Sequence, residues 1–277
     1  MKIFTIAEIG INHNGSLAAS KRLIDIASAA GCDAVKFQKR NPDVCVPEDQ
    51  KKVMKDTPWG RMTYLEYKYR VEFGQKEYDE IDVHCRDKGI AWTASPWDLD
   101  SLKFLMQYNV PFIKIPSAHL TNAALLGAAK QTGKKVILST GMSTLEEIDG
   151  AVRILREHDN VNFALMHCNS TYPSPLDELN LSCINILKER YGCEVGYSGH
   201  EFRLGTSVAA VYLGATIIER HITLDRSMWG TDQLSSVEPQ GLFKLVSGIR
   251  ELEVAYGDGK IGVTESEKLV RKKLRGL

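Results

Sequence analysis

At 277 residues the chain fits one large domain or two small ones. Its 35 Lys and Arg balance 35 Asp and Glu, which speaks against a nucleic-acid-binding domain, with its basic excess, and against an acidic disordered chain. Hydrophobic residues at 43% support a core without disulfide or metal staples, and no run of about 18 apolar residues offers a membrane span.

Met1 leads directly into a strand pattern without the marks of a signal peptide. The six cysteines are scattered with no C-x-x-C, so reduced thiols in a cytoplasmic protein are expected. In chain order, strands are predicted at 3–9, 34–38, 91–95, 112–116, 135–140, 163–168, 194–198 and 215–223. Their continuous apolar character suits parallel strands covered on both faces. Helices with apolar i, i+3, i+4 spacing are predicted at 17–30, 75–88, 99–108, 123–132, 145–157, 179–190, 204–213 and 242–256. Gly31, Gly89, Gly133, Gly192 and Gly214 close several of these units in positions suited to positive φ. Eight β-then-α units predict an α/β (β/α)8 TIM barrel in a single domain over 1–260, with a doubly wound sheet as the alternative. Residues 41–63, polar and interrupted by Pro42, Pro47 and Pro58, read as a long functional loop. Residues 261–277 read as a basic C-terminal tail.

In a barrel, chemistry belongs at the C-terminal ends of the strands. Those ends supply, in order, Glu8 to Gly15; Lys36 and Gln38; Ser95; Lys114 and Ser117; Ser139; His167 to Pro173; Ser198 and His200; and Glu219 with His221. Lysines embedded in apolar strands, as in Val35-Lys36-Phe37 and Ile113-Lys114-Ile115, are costly unless paired. An anionic ligand between them would supply the pairing. Ser95, Ser117, Ser139, Ser170 and Ser198 add short donors that suit a phosphate and a carboxylate on one small molecule, although any one of them alone reads as a turn former. His200 and His221 end adjacent strands about 4.8 Å apart. They are candidates for one divalent metal, with Mn2+ or Mg2+ as plausible as Zn2+, or are two separate structural histidines. Cys168 follows His167 on one strand, so the two side chains point to opposite faces and form no dyad; a core thiol is expected. His84 and His158 fall inside helical patterns and receive no role. No dinucleotide or Walker A pattern is present.

These motifs together resemble the sialic acid synthase (N-acetylneuraminate synthase) family. The matching segments are E-I-G-I-N-H-N-G at 8–15, K-F-Q at 36–38, K-I-P-S at 114–117, L-S-T-G-M at 138–142, Tyr172-Pro173, G-Y-S-G-H at 196–200, E-R-H at 219–221 and Asp232. The resemblance implies a TIM barrel that condenses phosphoenolpyruvate with an N-acylated hexosamine-like aldose. It uses Mn2+ or Mg2+, yields a 2-keto-3-deoxy sugar acid and releases phosphate by C–O cleavage. Carried across position by position, it gives His200 and His221 the metal. It gives Lys36, Ser95, Lys114, Ser117, Ser139, Ser170 and Ser198 phosphoenolpyruvate, and Gln38, Tyr172 and Asp232 the sugar acceptor. Glu8 or Glu219 would manage the water proton. A homodimer is possible, and neither nucleic acid nor membrane is expected as a partner.

The pattern departs from the family at His119, where the synthases carry an acceptor-binding carboxylate. It also reads as a short form that stops near Leu277, without the antifreeze-like domain that supplies an arginine to the sugar site. The expected substitutes are Arg61 in the 41–63 loop and the 225–233 segment, with Arg226, Met228, Trp229 and Asp232. Trp229 either stacks on a sugar face or packs the loop. N-acetylmannosamine is therefore expected to be a poor acceptor. Two other readings stay open on the residues alone: a Schiff-base aldolase using Lys36 or Lys114, and a non-catalytic barrel that senses a sugar or phosphate.

Overall fold

The apolar runs become eight parallel strands, and the amphipathic stretches between them become the helices that cover them. The structure, a computed structural model, describes residues 2–157 and 162–276; His158 lies outside them. The first units are β1 (Phe4–Gly10), α1 (Leu17–Ala29) and β2 (Ala34–Lys39). An insertion follows, with α2 (Pro42–Cys45), α3 (Glu48–Lys51), the hairpin β3 (Met54–Thr57) and β4 (Gly60–Thr63), and α4 (Tyr64–Val71). The alternation resumes with α5 (Gln75–Asp87), β5 (Ala91–Pro96), α6 (Leu99–Leu105), β6 (Phe112–Ile115), α7 (Ala123–Gln131), β7 (Lys135–Ser139), α8 (Leu145–Arg156) and β8 (Phe163–His167). It closes with α9 (Cys183–Tyr191), β9 (Glu194–Gly199), α10 (Gly205–Tyr212), β10 (Ile217–His221), α11 (Pro239–Ala255) and an exposed helix α12 (Glu265–Arg275).

The strands pair in the order β5-β2-β1-β10-β9-β8-β7-β6. The two end strands lie side by side, and the Thr93 hydroxyl donates to the Phe112 carbonyl across the seam at 2.9 Å. The sheet is therefore curled into a (β/α)8 barrel, and the doubly wound alternative is not what forms.

Period-two alternation divides the barrel interior into layers. Ile6, Ala34, Phe112, Ile137, Ala164 and Ile217 form an apolar plug in the lower half. Two residues further along the same strands stand Glu8, Lys36, Lys114, Ser139, Met166 and Glu219. The inward face thus changes from apolar to charged toward the C-terminal end. The intervening residues, such as Ala7, Val35, Ile113, Leu138 and Ile218, face the helices in the larger core.

The 41–63 segment differs from the long loop expected. Its prolines open and separate short elements, with Pro42 at the start of α2 and Pro47 capping α3. The chain then runs on into α4, which the sequence reading missed. The signal was present: the Thr63 hydroxyl accepts from the Glu66 N–H, and the Glu66 carboxylate accepts from the Thr63 N–H, a capping box. Helix α11 begins three residues earlier than predicted because Pro239 occupies its first turn, where a missing N–H costs nothing. All six cysteines are unpaired. Among the described residues no helix is long and apolar enough to cross a membrane.

Candidate active site

The charged layer at the C-terminal end lines a cavity of about 170 Å³. Thirteen of the fourteen residues expected to form the site line it: Glu8, Lys36, Gln38, Ser95, Lys114, Ser117, Ser139, Ser170, Tyr172, Ser198, His200, Glu219 and His221. Asp232 is outside this lining, with its carboxylate 4.0 Å from His221 Nδ1.

The two lysines are paired by the protein itself, which corrects the expectation that a ligand must do it. Lys36 Nζ lies 2.5 Å from Glu8 Oε2 and 3.8 Å from Glu219 Oε1, and donates to Ser95 Oγ at 3.1 Å. Lys114 Nζ donates to Ser139 Oγ at 2.7 Å and to Glu219 Oε1 at 3.3 Å. All four ionisable groups are buried. Burial, with the second carboxylate nearby, pushes Glu8 up to about 7 despite Lys36. Glu219 resists the same burial because Lys114 and then Lys36 hold its carboxyl down at about 2. The two carboxylates therefore differ in kind: one is poised to exchange a proton near neutrality, and the other stays ionised between the lysines. Ser198 donates to Glu219 Oε1 at 3.1 Å and helps to fix it.

Just past β7, the strand beside that of Lys114, the Gly141 N–H donates to Ser117 Oγ at 3.0 Å. A Cβ at Gly141 would stand 2.3 Å from Ser170 Oγ and 2.9 Å from both Cys168 Sγ and Ser117 Oγ. Glycine here lets the Ser117, Cys168 and Ser170 side chains, all of which line the cavity, close in over the backbone. Cys168 is buried as expected, but it is not simply core: its thiol lies 3.2 Å from Ser117 Oγ and faces the cavity. His167 points the other way and bonds the Leu179 carbonyl at 2.7 Å, so the two form no dyad.

His200 and His221 come together, with ring centroids 5.6 Å apart. Burial pushes each down to about 4, so both imidazoles are neutral at physiological pH. Because a carbonyl only accepts, His200 Nδ1 donates its proton to the Asn169 oxygen at 2.5 Å, leaving a lone pair on Nε2. The Tyr172 hydroxyl donates to that lone pair at 3.0 Å. His221 Nδ1 and Glu219 Oε2 are buried without any hydrogen-bond partner. Neutral rings, an oriented tautomer and an orphaned nitrogen are what a divalent metal needs from histidine ligands. Among the described residues no group of three or more His, Cys, Asp or Glu is arranged to hold a metal ion; Asp232 lies 4.0 Å from His221.

The rest of the first strand's motif is structural. Asn12 donates to the Ile222 carbonyl at 2.9 Å and to Ser236 Oγ at 2.8 Å, which ties β1 to the segment after β10. His13 stacks on Phe73 at 4.1 Å and is pushed down to about 3 by burial. His119 stands edge-on to Trp97 at 5.2 Å with Nε2 buried and unpartnered. Arg61 is exposed on the hairpin, opposite Asp56, and is not at the cavity. Trp229 packs edge-on against Trp59 at 5.6 Å and Tyr67 at 5.1 Å, so the insertion and the 225–233 segment do meet. The cavity also takes Trp97 and Met142, which the sequence reading passed over. Arg40, stacked on Trp97 at 3.9 Å and bonded to Gln38, was missed as well; its neighbours could be read only from the fold.

The model of the NeuB family matches residues 23–261. The N,N'-diacetyllegionaminic acid synthase of Campylobacter jejuni is 38% identical over 99% of this chain and 84% of its own length. The N-acetylneuraminate-9-phosphate synthase of Homo sapiens is 35% identical over 98% of this chain and 76% of its own. A crystal structure of the sialic acid synthetase of Leptospira borgpetersenii, in complex with citrate, aligns with a TM-score of 0.87 at 35% identity. It covers 99% of this chain and 93% of that one.

Proposed function

Because the chain belongs to the NeuB family of sugar-acid synthases, we propose that it condenses phosphoenolpyruvate with an N-acylated, hexosamine-like aldose. The product is a 2-keto-3-deoxy sugar acid, and phosphate leaves by C–O cleavage. The observation that carries this reading is the cavity that holds both lysines, lined by five serines and two neutral imidazoles.

Lys36 and Lys114, with Ser95, Ser117, Ser139, Ser170 and Ser198, hold the phosphate and carboxylate of phosphoenolpyruvate, a contribution of proximity and fixed charge. Gln38, Tyr172 and Asp232 orient the acceptor. Glu8 exchanges the proton of the water that adds at C2, because burial leaves it near its midpoint at neutral pH while Glu219 remains an ionised anchor. His200 and His221 would hold Mn2+ or Mg2+, which supplies Lewis acidity toward the acceptor's aldehyde oxygen. Tyr172 gives up its bond to His200 Nε2 when that nitrogen is used.

The test is a screen of aldose acceptors with phosphoenolpyruvate and Mn2+, following phosphate and keto acid together. Phosphoenolpyruvate labelled with 18O at the bridging position should deliver the label to phosphate. Phosphate without keto acid, or label retained in the organic product, defeats the reading. Absence of turnover with every acceptor would favour the sensing barrel. One observation favours a second reading: burial lowers Lys114 below an ordinary lysine, the direction that suits a Schiff-base nucleophile. Borohydride with pyruvate separates the two. Covalent labelling at Lys114 supports the aldolase, and its absence, together with metal dependence, supports the synthase.

A further inference from the structure

The cavity, about 170 Å³ and open at its mouth, is smaller than the roughly 300–1,000 Å³ of pockets that swallow a whole ligand. Phosphoenolpyruvate and a hexosamine do not both fit inside it. With the acceptor's aldehyde at the reacting centre, the far end of the sugar must emerge over the rim. The insertion packs on the 225–233 segment beside that rim, and two cations stand there. Arg40, just past β2, donates to the Gln38 side chain and lies flat on Trp97 at 3.9 Å, both of them cavity residues. Lys68 of α4 sits over Tyr64 at 5.0 Å and Tyr67 at 5.2 Å. It is near enough to Arg40 and Asp232 for both to act on its charge.

The carboxylates around this rim are otherwise engaged. Glu72 is paired with Lys39 at 2.7 Å. Asp98 accepts from the Asn41 N–H at 2.7 Å and from Ser101. Asp232 flanks His221. Among the described residues neither Arg40 nor Lys68 has an ion-pair partner, although both are half-buried. Two half-buried cations, each stacked on aromatic rings and neither ion-paired, form a seat for an anion. Burial and then Arg40 push Lys68 down to about 8, a strain that a bound anion would relieve.

We propose that the acceptor carries an anionic group, a phosphate or a carboxylate, at the end away from its aldehyde, and that Arg40 and Lys68 hold it. This rests on the condensation reading above. It assigns Arg40 and Lys68 the part that the sequence had given to Arg61.

The experiment uses the full chain with Mn2+ at fixed low ionic strength, because rim charges are screened by salt. Three acceptors are compared: N-acetylmannosamine, its 6-phosphate and the corresponding N-acetylated uronic acid. Phosphate release is followed for wild type, Arg40→Met and Lys68→Met, and calorimetry measures binding of each sugar without turnover. One anionic acceptor should exceed the neutral one by about tenfold or more in kcat/KM. Whether that is the phosphate or the uronate identifies the group. In either variant the preference should collapse toward unity with the KM for phosphoenolpyruvate little changed. Equal use or binding of neutral and anionic sugars by wild type overturns the inference, as does a full preference retained by both variants. If no sugar turns over but the phosphate or uronate still binds in an Arg40-dependent way, the condensation reading fails and the anion seat stands. If neither anionic sugar binds, the seat fails whatever the turnover.

Discussion

Lys114 of β6 and Gly141, just past the neighbouring strand β7, stand on one side of the site, and each can be tested by one substitution. Lys114→Met removes an ammonium at nearly constant length. Glu219 keeps Lys36 at 3.8 Å, so its charge is not left wholly uncompensated. Phosphoenolpyruvate affinity should fall about 10- to 150-fold, the value of a charge-assisted bond to a buried anion. Calorimetric titration with an unchanged dissociation constant would remove Lys114 from the anion site. Gly141→Ala tests the same site by pushing the Ser170 and Ser117 side chains out of place. The backbone there is not in the left-handed region, so the methyl costs little strain but stands 2.3 Å from Ser170 Oγ. Binding should weaken by about tenfold, the scale of one lost charge-assisted contact. The double variant Gly141→Ala with Ser170→Gly should recover part of the loss. If the alanine variant binds normally, Ser117 and Ser170 do not hold the ligand.

Among the elements, the turn from β9 into α10 carries His200 and is fastened from behind. Arg220, between Glu219 and His221 on β10, points away from the cavity. It donates to Glu201 Oε1 at 3.0 Å, the Arg203 carbonyl at 2.9 Å and Ser207 Oγ at 2.9 Å. Tyr197 donates to the other Glu201 oxygen at 2.9 Å. The E-R-H sequence thus serves two faces: Glu219 and His221 for the site, Arg220 for the turn behind it. Arg220→Met leaves the fully buried Glu201 carboxylate uncompensated and should cost about 3–5 kcal/mol. Pairing it with Glu201→Gln should restore much of that, since the buried charge goes with its partner. Chemical denaturation that shows less than about 1 kcal/mol lost in the single variant would contradict this account.

For the whole molecule, the barrel and its charged end were legible because both depend on short periods in the sequence. Eight apolar runs gave the strands, and period-two alternation carried Lys36, Lys114, Glu219 and their neighbours to one end of the interior. What stayed hidden depended on contacts distant in sequence. That Glu8 and Glu219 already pair with the lysines follows from the barrel's curvature, and Lys68 comes within electrostatic reach of Arg40 and Asp232 only through the fold of the insertion. The lower end of the barrel has such a contact too, joining residues far apart in the chain. Asp33, just before β2, accepts from the Thr5 N–H and hydroxyl on β1 and from Arg250 of α11, each at 2.8 Å. Burial pulls its carboxyl upward, but the Thr5 N–H and Arg250 win and hold it below the usual aspartate value. A carboxyl lowered on folding adds stability that is present above its unfolded pKa and lost as pH falls through its folded one. The contribution should therefore be complete at neutral pH and fade only in acid, below the ordinary aspartate range. Partial exposure screens it, so about 1–2 kcal/mol is expected at pH 7. Asp33→Asn should lower neutral-pH stability by that amount, and its difference from wild type should shrink in acid. Urea unfolding across pH, with a difference that stays constant or widens toward acid, would show that Asp33 does not act through its charge.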